Sequence, residues 1–204
     1  MTAGSGVIHN EQVVPLGKVR VLQLWLTLPS ASRWAAPRFE HVVADSAPVR
    51  REPGVEARVY SGSSGRARAT THNYVQVTLV DVRMDAGAEF VQDVPASYNG
   101  FLYVLKGSVS VGTERARVAA DQVGWLRNGE SDASSAEVRV TAGESGARFV
   151  LYAGERQGVP IVMHGPFVGQ TRTDLIGLSK RYMEGKMPRI SELALEEATS
   201  ANRD

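Results

Sequence analysis

A histidine and a glutamate close to the start of the chain have the spacing of a pair of metal ligands. His9 and Glu11 are two residues apart, and on an extended strand the side chains at positions i and i+2 project from the same face. A neutral imidazole beside a carboxylate is half of the ligand set of iron(II) oxygenases, in which other positions stay open for substrate and oxygen. Two ligands seldom hold a catalytic metal, so the remaining ligands must come from elsewhere or be missing.

On residue types alone, a His-x-Glu pair on a strand is more often a hydrogen-bonded pair than a metal site. The other histidines of the chain, His41, His72 and His164, are expected to be structural, and none is near His9 in the sequence. The chain contains no cysteine, which excludes disulfides, thiolate nucleophiles and cysteine-ligated zinc or iron–sulfur sites.

The composition gives little long-range electrostatic attraction for any partner. The 23 basic and 22 acidic side chains leave a formal net charge of +1, so we expect no direct nucleic-acid partner and no membrane partner. The arginines between residues 50 and 68 alternate with acidic residues and a Gly/Ser turn, which favours a solvated face. No apolar run approaches the ~20 residues that cross a bilayer, and no signal peptide is recognisable. The expected location is cytoplasmic.

Short strand patterns separated by glycines dominate the chain and predict an all-β sandwich or barrel. The clearest alternation has Leu22, Leu24, Leu26 and Leu28 on one face of a predicted strand over 19–28. Further strands are predicted over 39–43, 55–60, 74–82, 101–105, 108–111, 122–126, 137–141 and 148–153.

One helix is predicted near the end of the chain. Thr171 followed by Asp174 has the capping-box pattern, and Gly185 has the position of a left-handed stop. The residues that share one face of this helix are Leu175, Leu178 and Tyr182.

Residues 85–107 have the layout of the first motif of a cupin barrel, a glycine turn followed by a strand that ends in Tyr-Val-Leu-Lys-Gly. In metal-binding cupins two histidines and a glutamate lie between the glycines. Here neither residues 90–100 nor the second-motif region, residues 122–130, contains a histidine. This pattern predicts a cupin barrel without a metal, in which Glu89, Gln92 and Asp93 are surface residues or part of a polar network.

Residues 2–11, Thr-Ala-Gly-Ser-Gly-Val-Ile-His-Asn-Glu, resemble the signature of the pirin family. Residues 22–29, Leu-Gln-Leu-Trp-Leu-Thr-Leu-Pro, resemble the Gln-Leu-Trp strand that follows in pirins. Residues 149–154 and 164–168 are similar to the end of the second pirin barrel. The resemblance comprises four ordered motifs and runs from Met1 to about Glu184.

The resemblance implies an all-β fold made of two cupin (jelly-roll, or double-stranded β-helix) barrels. The implied organisation is a remnant of the metal-binding N-terminal cupin over 1–45, a linker over 46–53, a metal-free C-terminal barrel over 54–170, a helix over 171–185 and a tail over 186–204.

In pirins three histidines and a glutamate hold one metal, usually iron, and the third histidine and the glutamate map onto His9 and Glu11. The resemblance therefore implies that His9 and Glu11 bind Fe(II) or another divalent metal, and that Glu11 is also catalytic. The family's first two histidines form a His-x-His motif upstream of this position. We therefore expect that half of the metal site is absent from this chain, either through truncation or through a misassigned start.

The implied function is that of a quercetin 2,3-dioxygenase, in which the metal holds an oxygen of a flavonol while O2 attacks its heterocycle. Nuclear pirins are instead iron-sensing coregulators of transcription factors. The alternatives are therefore a non-enzymatic regulatory cupin that binds proteins, and an inactive truncated remnant. An open first barrel would uncover the leucines of residues 22–28, so we also expect self-association through residues 1–45, a protein partner, or poor order there.

Overall fold

The computed structural model describes residues 1–11, 17, 19–126, 135–193 and 195–197. These residues form two compact units. The first unit combines residues 1–41 with residues 157–197, and the second runs from 42 to 156. Within the described part of the chain, no helix is long and apolar enough to cross a membrane.

The chain is mainly β-structure with one α-helix and three short 3-10 helices. The strands are β1 (Phe39–His41), β2 (Val49–Glu52), β3 (Val55–Ser61), β4 (Ser63–Ser64), β5 (Ala67–Arg68), β6 (Val77–Met84), β7 (Glu89–Pro95), β8 (Tyr98–Val111), β9 (Ala116–Ala119), β10 (Val123–Leu126), β11 (Ser135–Glu155), β12 (Val162–His164), β13 (Phe167–Gly169) and β14 (Leu195–Glu197). The helix α1 spans Arg172–Met183, and the 3-10 helices span Ser30–Ser32, Ala44–Ser46 and Ile190–Glu192.

The second unit is a jelly-roll-like barrel organised around β11. Its main sheet has the order β10-β8-β11-β6-β3-β2, with β7 paired to β11 and β9 paired to β8. The first part of β11 pairs with β7 over Ser135–Thr141, and the last part pairs with β6 over Ala147–Gly154. The strand β11 thus belongs to both layers of the barrel, one containing β7 and the other containing β6, and the core lies between these layers.

Two glycines let β8 and β11 bend together between these layers. Gly107 and Gly146 both have φ of +72°, a conformation that L side chains rarely adopt. A Cβ atom on Gly107 would overlap the carbonyl oxygen of Gly146, and one on Gly146 would lie 2.6 Å from the carbonyl oxygen of Met84. The pairing of β8 with β11 shifts register between Ala142 and Ala147. The sequence pattern predicts one separate strand on each side of each glycine. In the structure, β8 continues through Gly107 and β11 continues through Gly146, each with a bend.

Alternate residues of the barrel strands point into one apolar core. Phe90 and Phe149 pack at its centre with ring centroids 6.2 Å apart. The core is formed mainly by Val55, Ala57, Val59, Val80, Val82, Met84, Phe90, Val94, Leu102, Val104, Val109, Val138, Val140, Phe149 and Leu151. Most of these are β-branched residues, which suit the pleated and half-buried surface of a sheet.

The structure differs from the predicted linker over 46–53, because β2 lies within it. β2 pairs antiparallel with β3, and Val49 lies opposite Arg58. Ion pairs support this hairpin: Arg50 contacts Glu52 at 2.7 Å, and Arg51 contacts Glu56 at 3.4 Å. Charges and a proline therefore mark an edge strand here, which is where sheets tolerate both.

The predicted helix is confirmed as α1. The N–H of Asp174 donates to the hydroxyl of Thr171 (3.1 Å), and the N–H of Thr171 donates to the carboxylate of Asp174 (3.0 Å). Leu175 and Leu178 are buried, whereas Tyr182 is exposed. Gly185 has φ of +65°, as expected for the stop.

The segment predicted as a tail has regular structure over much of its length. Met187 is buried, a 3-10 turn follows, and β14 pairs in parallel with β1 over Leu195–Glu197. Residues 198–204 of the predicted tail, and residues 127–130 of the second cupin motif, lie outside the described residues.

The alternating segment over 19–28 does not form a strand. The described residues from 19 to 29 lie in no sheet, because periodicity can create an apolar face but cannot supply the neighbouring strand that satisfies the backbone. Its large apolar side chains are exposed, with Trp25 at 56%. The exposed residues are Val19, Val21, Leu22, Leu24, Trp25 and Leu26.

We predict that this exposed segment associates with a second copy of the chain or remains poorly ordered. A contiguous apolar patch with unpaired backbone groups is a template for strand pairing. In a multi-angle light-scattering experiment, Leu24→Gln combined with Trp25→Ser should reduce the associated fraction. Trp125→Ser, which removes an exposed tryptophan of the barrel, should leave it unchanged. A monodisperse monomer with slowly exchanging amides over 21–28 would contradict the prediction.

We also predict an acid-sensitive start of α1. Burial raises the pKa of Asp174, but hydrogen bonds from Gln170 and Thr171 and the charge of Arg33 outweigh it, so its pKa lies below the ordinary 3.8. The ionised carboxylate therefore stabilises the fold above that ordinary value, and the contribution is lost as the pH falls through the lower, folded-state pKa.

Asp174→Asn should accordingly lower the Tm at pH 7, and the difference from the parent should shrink as the pH falls below about 4. Thermal unfolding followed by circular dichroism measures both values. Asp93→Asn, at an exposed carboxylate, should change the Tm little at either pH. If Asp174→Asn lowers the Tm equally at neutral and acidic pH, the charge of Asp174 is not the cause of the stabilisation.

Candidate metal-binding site

The N-terminal segment that carries His9 is fixed by backbone hydrogen bonds to two distant parts of the first unit. The N–H of Ile8 donates to the carbonyl of Pro188, and the N–H of Ile190 donates to the carbonyl of Ile8, both at 2.8 Å. At the other end of the segment, Thr2 and Arg38 exchange two backbone hydrogen bonds of 2.9 and 3.0 Å. The position of His9 thus depends on residues about 180 positions later in the chain.

The glycines of the Thr-Ala-Gly-Ser-Gly motif allow this close packing. Gly4 has φ of +50°, and a Cβ atom there would overlap the carbonyl oxygen of Ala35. Gly6 is buried with φ of +114°, and its Cβ would lie 2.6 Å from Cε and 2.8 Å from Sδ of Met187. Both positions therefore need glycine, for the backbone angle and for space. Packing alone thus explains why the motif contains these two glycines.

The structure brings His9 and Glu11 side by side, although residues 9–11 are not part of a strand. Nδ1 of His9 lies 3.7 Å from Oε1 of Glu11. The side-chain amide of Gln23 donates to the same Oε1 at 3.1 Å. The His9 side chain is 32% exposed and that of Glu11 is 58% exposed, so solvent or a ligand has access to both.

This donor set matches half of a mononuclear metal site. Imidazole and carboxylate are ligands of the right kind for iron(II) or a similar divalent ion, and catalytic sites of this type use about three protein ligands. Within the described residues, no group of three His, Cys, Asp or Glu side chains could hold a metal ion. His9 and Glu11 are therefore two candidate ligands, and the described residues do not complete a site.

The remaining histidines do not join this pair within the part of the chain that the structure describes. His41 lies in β1 with its ring 6.5 Å from that of Phe39. His164 ends β12 and is exposed, and His72 lies in the segment between β5 and β6.

The cupin-motif residues of the barrel are surface residues or part of a polar network, as predicted. Glu89 and Asp93 are exposed on β7. Gln92, only 2% exposed, donates its amide to the backbone oxygens of Ser63 (3.0 Å) and Asp93 (2.9 Å). Its Oε1 is buried without a hydrogen-bond partner among the described residues. Gln92 thus anchors β7 to the β4–β5 hairpin.

Sequence reasoning misses two contributors to the candidate site. The alternating pattern assigns Gln23 only to one face of a predicted strand, although a single polar side chain among apolar neighbours is a signal that it has a specific partner. Met187, which packs on Gly6, lies in a segment predicted as a tail. No local pattern indicates that contact, because it joins opposite ends of the chain.

The bent jelly-roll barrel, with a histidine–glutamate pair on a glycine-rich segment, identifies the molecule as a cupin protein. Residues 79–188 match the family model described as the pirin C-terminal cupin domain. Because this match covers more than half of the chain, the chain belongs to the pirin family, as the resemblance of its motifs indicated.

Curated relatives agree with this assignment over most of the chain. Mouse pirin is 29% identical over 175 residues, which are 86% of this chain and 59% of that protein. A pirin-like protein of Caulobacter vibrioides is 34% identical over 190 residues, covering 91% and 66%. The chain thus spans about three fifths of the length of the curated relatives it matches.

Solved structures support the fold. A crystal structure of a Geobacillus kaustophilus protein is 39% identical, with a TM-score of 0.62, over 65% of this chain and 53% of that one. A quercetin 2,3-dioxygenase from Acinetobacter baumannii has a TM-score of 0.69 at 22% identity, over 80% and 55%. At that identity the second likeness concerns the fold alone.

We predict that Gly6→Ala displaces the candidate site. The unfavourable φ costs about 1–3 kcal/mol, and overpacking against Met187 costs about 1–3 kcal/mol more. Hydrogen exchange at the amides of Ile8 and Ile190 should accelerate, and the Tm should fall.

Gly177→Ala is the matched control. Gly177 lies in α1 with open space where a Cβ atom would project, so alanine should stabilise the helix by about 0.5–1 kcal/mol. Unchanged exchange at Ile8 in Gly6→Ala would show that the glycine is not required for space.

Proposed function

We propose that this chain is a pirin-like protein in which His9 and Glu11 bind a divalent metal, iron(II) in the first instance, as part of a quercetin 2,3-dioxygenase-type site. The observation that carries the proposal is the 3.7 Å approach of His9 Nδ1 to Glu11 Oε1 on a segment held in place by glycine packing. The donor set is incomplete, so the proposal includes further ligands from outside the described residues.

The residues around the pair have distinct roles in this proposal. Gln23 donates to one oxygen of Glu11, which orients the carboxylate and leaves its Oε2 able to accept a metal ion or a proton. Partners of this kind fix the orientation of metal ligands in other sites. The iron would supply the redox chemistry for ring opening of a flavonol-like substrate, and this chain would supply two ligands and their orientation.

The first experiment measures metal affinity rather than turnover, because a partial site can bind a metal without catalysing a reaction. In anaerobic titrations of the full chain with Fe(II), His9→Ala and Glu11→Gln should each weaken binding at least about tenfold. Gln23→Leu should weaken it by about 10–100-fold, as partners of metal ligands do elsewhere. His164→Ala, at an exposed histidine of β12, should have no effect.

The second experiment measures consumption of quercetin by absorbance with iron present. Activity that is lost in His9→Ala and Glu11→Gln but kept in His164→Ala would support the dioxygenase. Iron binding that persists unchanged in His9→Ala would contradict the proposed ligands.

A second candidate is a regulatory cupin that binds protein rather than a flavonol. The exposed apolar side chains of residues 19–26 favour it, as does the outer face of α1, where Ile176 and Met183 are exposed. Association that survives His9→Ala and is lost in Leu24→Gln with Trp25→Ser would favour this candidate.

For either function we infer a cytoplasmic location, since a chain without cysteine suits a reducing compartment.

A further inference from the structure

A row of charged side chains crosses five adjacent strands of the barrel in direct register. The pairs along the row join Arg51 of β2 to Glu56 of β3, Glu56 to Arg83 of β6, Arg83 to Arg148 of β11, and Arg148 to Lys106 of β8. Residues directly opposite in a sheet point to the same face. This basic row therefore presents four cations and one carboxylate on one side of the barrel.

Ion pairs compensate only part of the row. Glu56 contacts both Arg51 and Arg58 at 3.4 Å. Arg148 forms a bidentate pair with Asp81, with distances of 3.0 Å from Nε and 2.6 Å from Nη2. Among the residues that the structure describes, Arg83 and Lys106 have no acidic partner.

Arg148 is the fixed centre of this row. The bond to Asp81 uses Nε and Nη2, so the planar guanidinium is held in one orientation and Nη1 stays available as a donor. Neighbouring strands lie about 4.8 Å apart, so Arg83 and Lys106 stand on either side at about that spacing. Three donors thus face the space above β11.

The row also brings like charges opposite one another, although Arg148 is itself paired with Asp81. Like charges directly opposite each other in a sheet are destabilising, and Arg148 has a like charge on both sides. The bend at Gly107 and Gly146 places Lys106 and Arg148 next to each other. An anion bound between the three cations would remove this repulsion.

The row lines an open surface cavity of about 510 Å³ on the outward face of the sheet, a volume in the range of small-molecule sites. All five residues of the row line it, and the other polar groups on its wall are Glu52, Asp85 and Ser145. Glu52 is paired with Arg50, whereas Asp85 has no ion pair within the described residues.

We propose that this cavity binds the phosphate group of a phosphorylated small molecule, held by Arg148 with Arg83 and Lys106 on either side. Arg83 and Lys106, less the unpaired Asp85, leave an excess of positive charge that attracts an anion, and a planar guanidinium with a free edge suits phosphate oxygens. The site lies on the outer face of the barrel sheet and shares no residue with the His9–Glu11 pair.

The test is a titration of the isotope-labelled full chain with inorganic phosphate, and then with glucose 6-phosphate, followed by NMR at constant ionic strength so that screening is equal. Saturable shifts should centre on the amides of Arg83, Lys106, Ser145 and Arg148. Arg83→Gln and Lys106→Gln should each weaken binding about three- to tenfold, and the double variant more than tenfold.

Two further variants separate a built site from general charge attraction. Asp85→Asn removes a carboxylate from the cavity wall and should tighten phosphate binding about two- to threefold. Arg117→Gln, at an exposed arginine of β9, should change nothing. The Tm of Arg83→Gln and Lys106→Gln should not fall, because each change removes repulsion.

Binding that does not saturate would overturn the proposal, and so would shifts spread equally over the exposed arginines. Saturable binding that is unchanged in the double variant with a native Tm would also overturn it.

Discussion

The close approach of Gly107 to Gly146 is the constraint on which the barrel depends. A side chain at either position would collide with backbone atoms of the neighbouring strand, so only glycine lets β8 and β11 turn together from one layer to the other. The apolar core forms between the layers that this bend creates. The same bend fixes the register that places Lys106 opposite Arg148, so the surface chemistry of the barrel follows from the same two positions.

A second pair of glycines has a comparable role in the first unit. Gly4 and Gly6 bring the N-terminal segment against Ala35 and Met187, and this contact sets where His9 and Glu11 project. In both units a pair of glycines with no room for a side chain determines where charged side chains are displayed. Residues 2–11 therefore combine close backbone packing with the two candidate metal ligands within ten residues.

The sequence predicts those features that depend on local interactions. The capping box at Thr171 and the stop at Gly185 need only neighbouring residues, and α1 is found where they place it. The side-by-side placement of His9 and Glu11 is found as well, although residues 9–11 are not part of a strand. The alternation over 19–28 misleads because a strand needs a partner that periodicity cannot supply. The contacts of Gln23 with Glu11, and of Met187 with Gly6, join distant positions and have no local signature. The basic row is equally hidden, since its members are separate in sequence and meet only through strand register.

The first unit is assembled from both ends of the chain, with the whole barrel inserted between residues 41 and 157. A ribosome makes residues 1–41 before the barrel, yet Pro188 and Ile190, which hold Ile8 by hydrogen bonds, are made more than 140 residues later. All strands of the barrel are synthesised before Pro188 and Ile190. The barrel can therefore fold as a unit before the N-terminal segment can form its hydrogen bonds. The histidine and glutamate are therefore synthesised before the barrel but reach their final positions only after it.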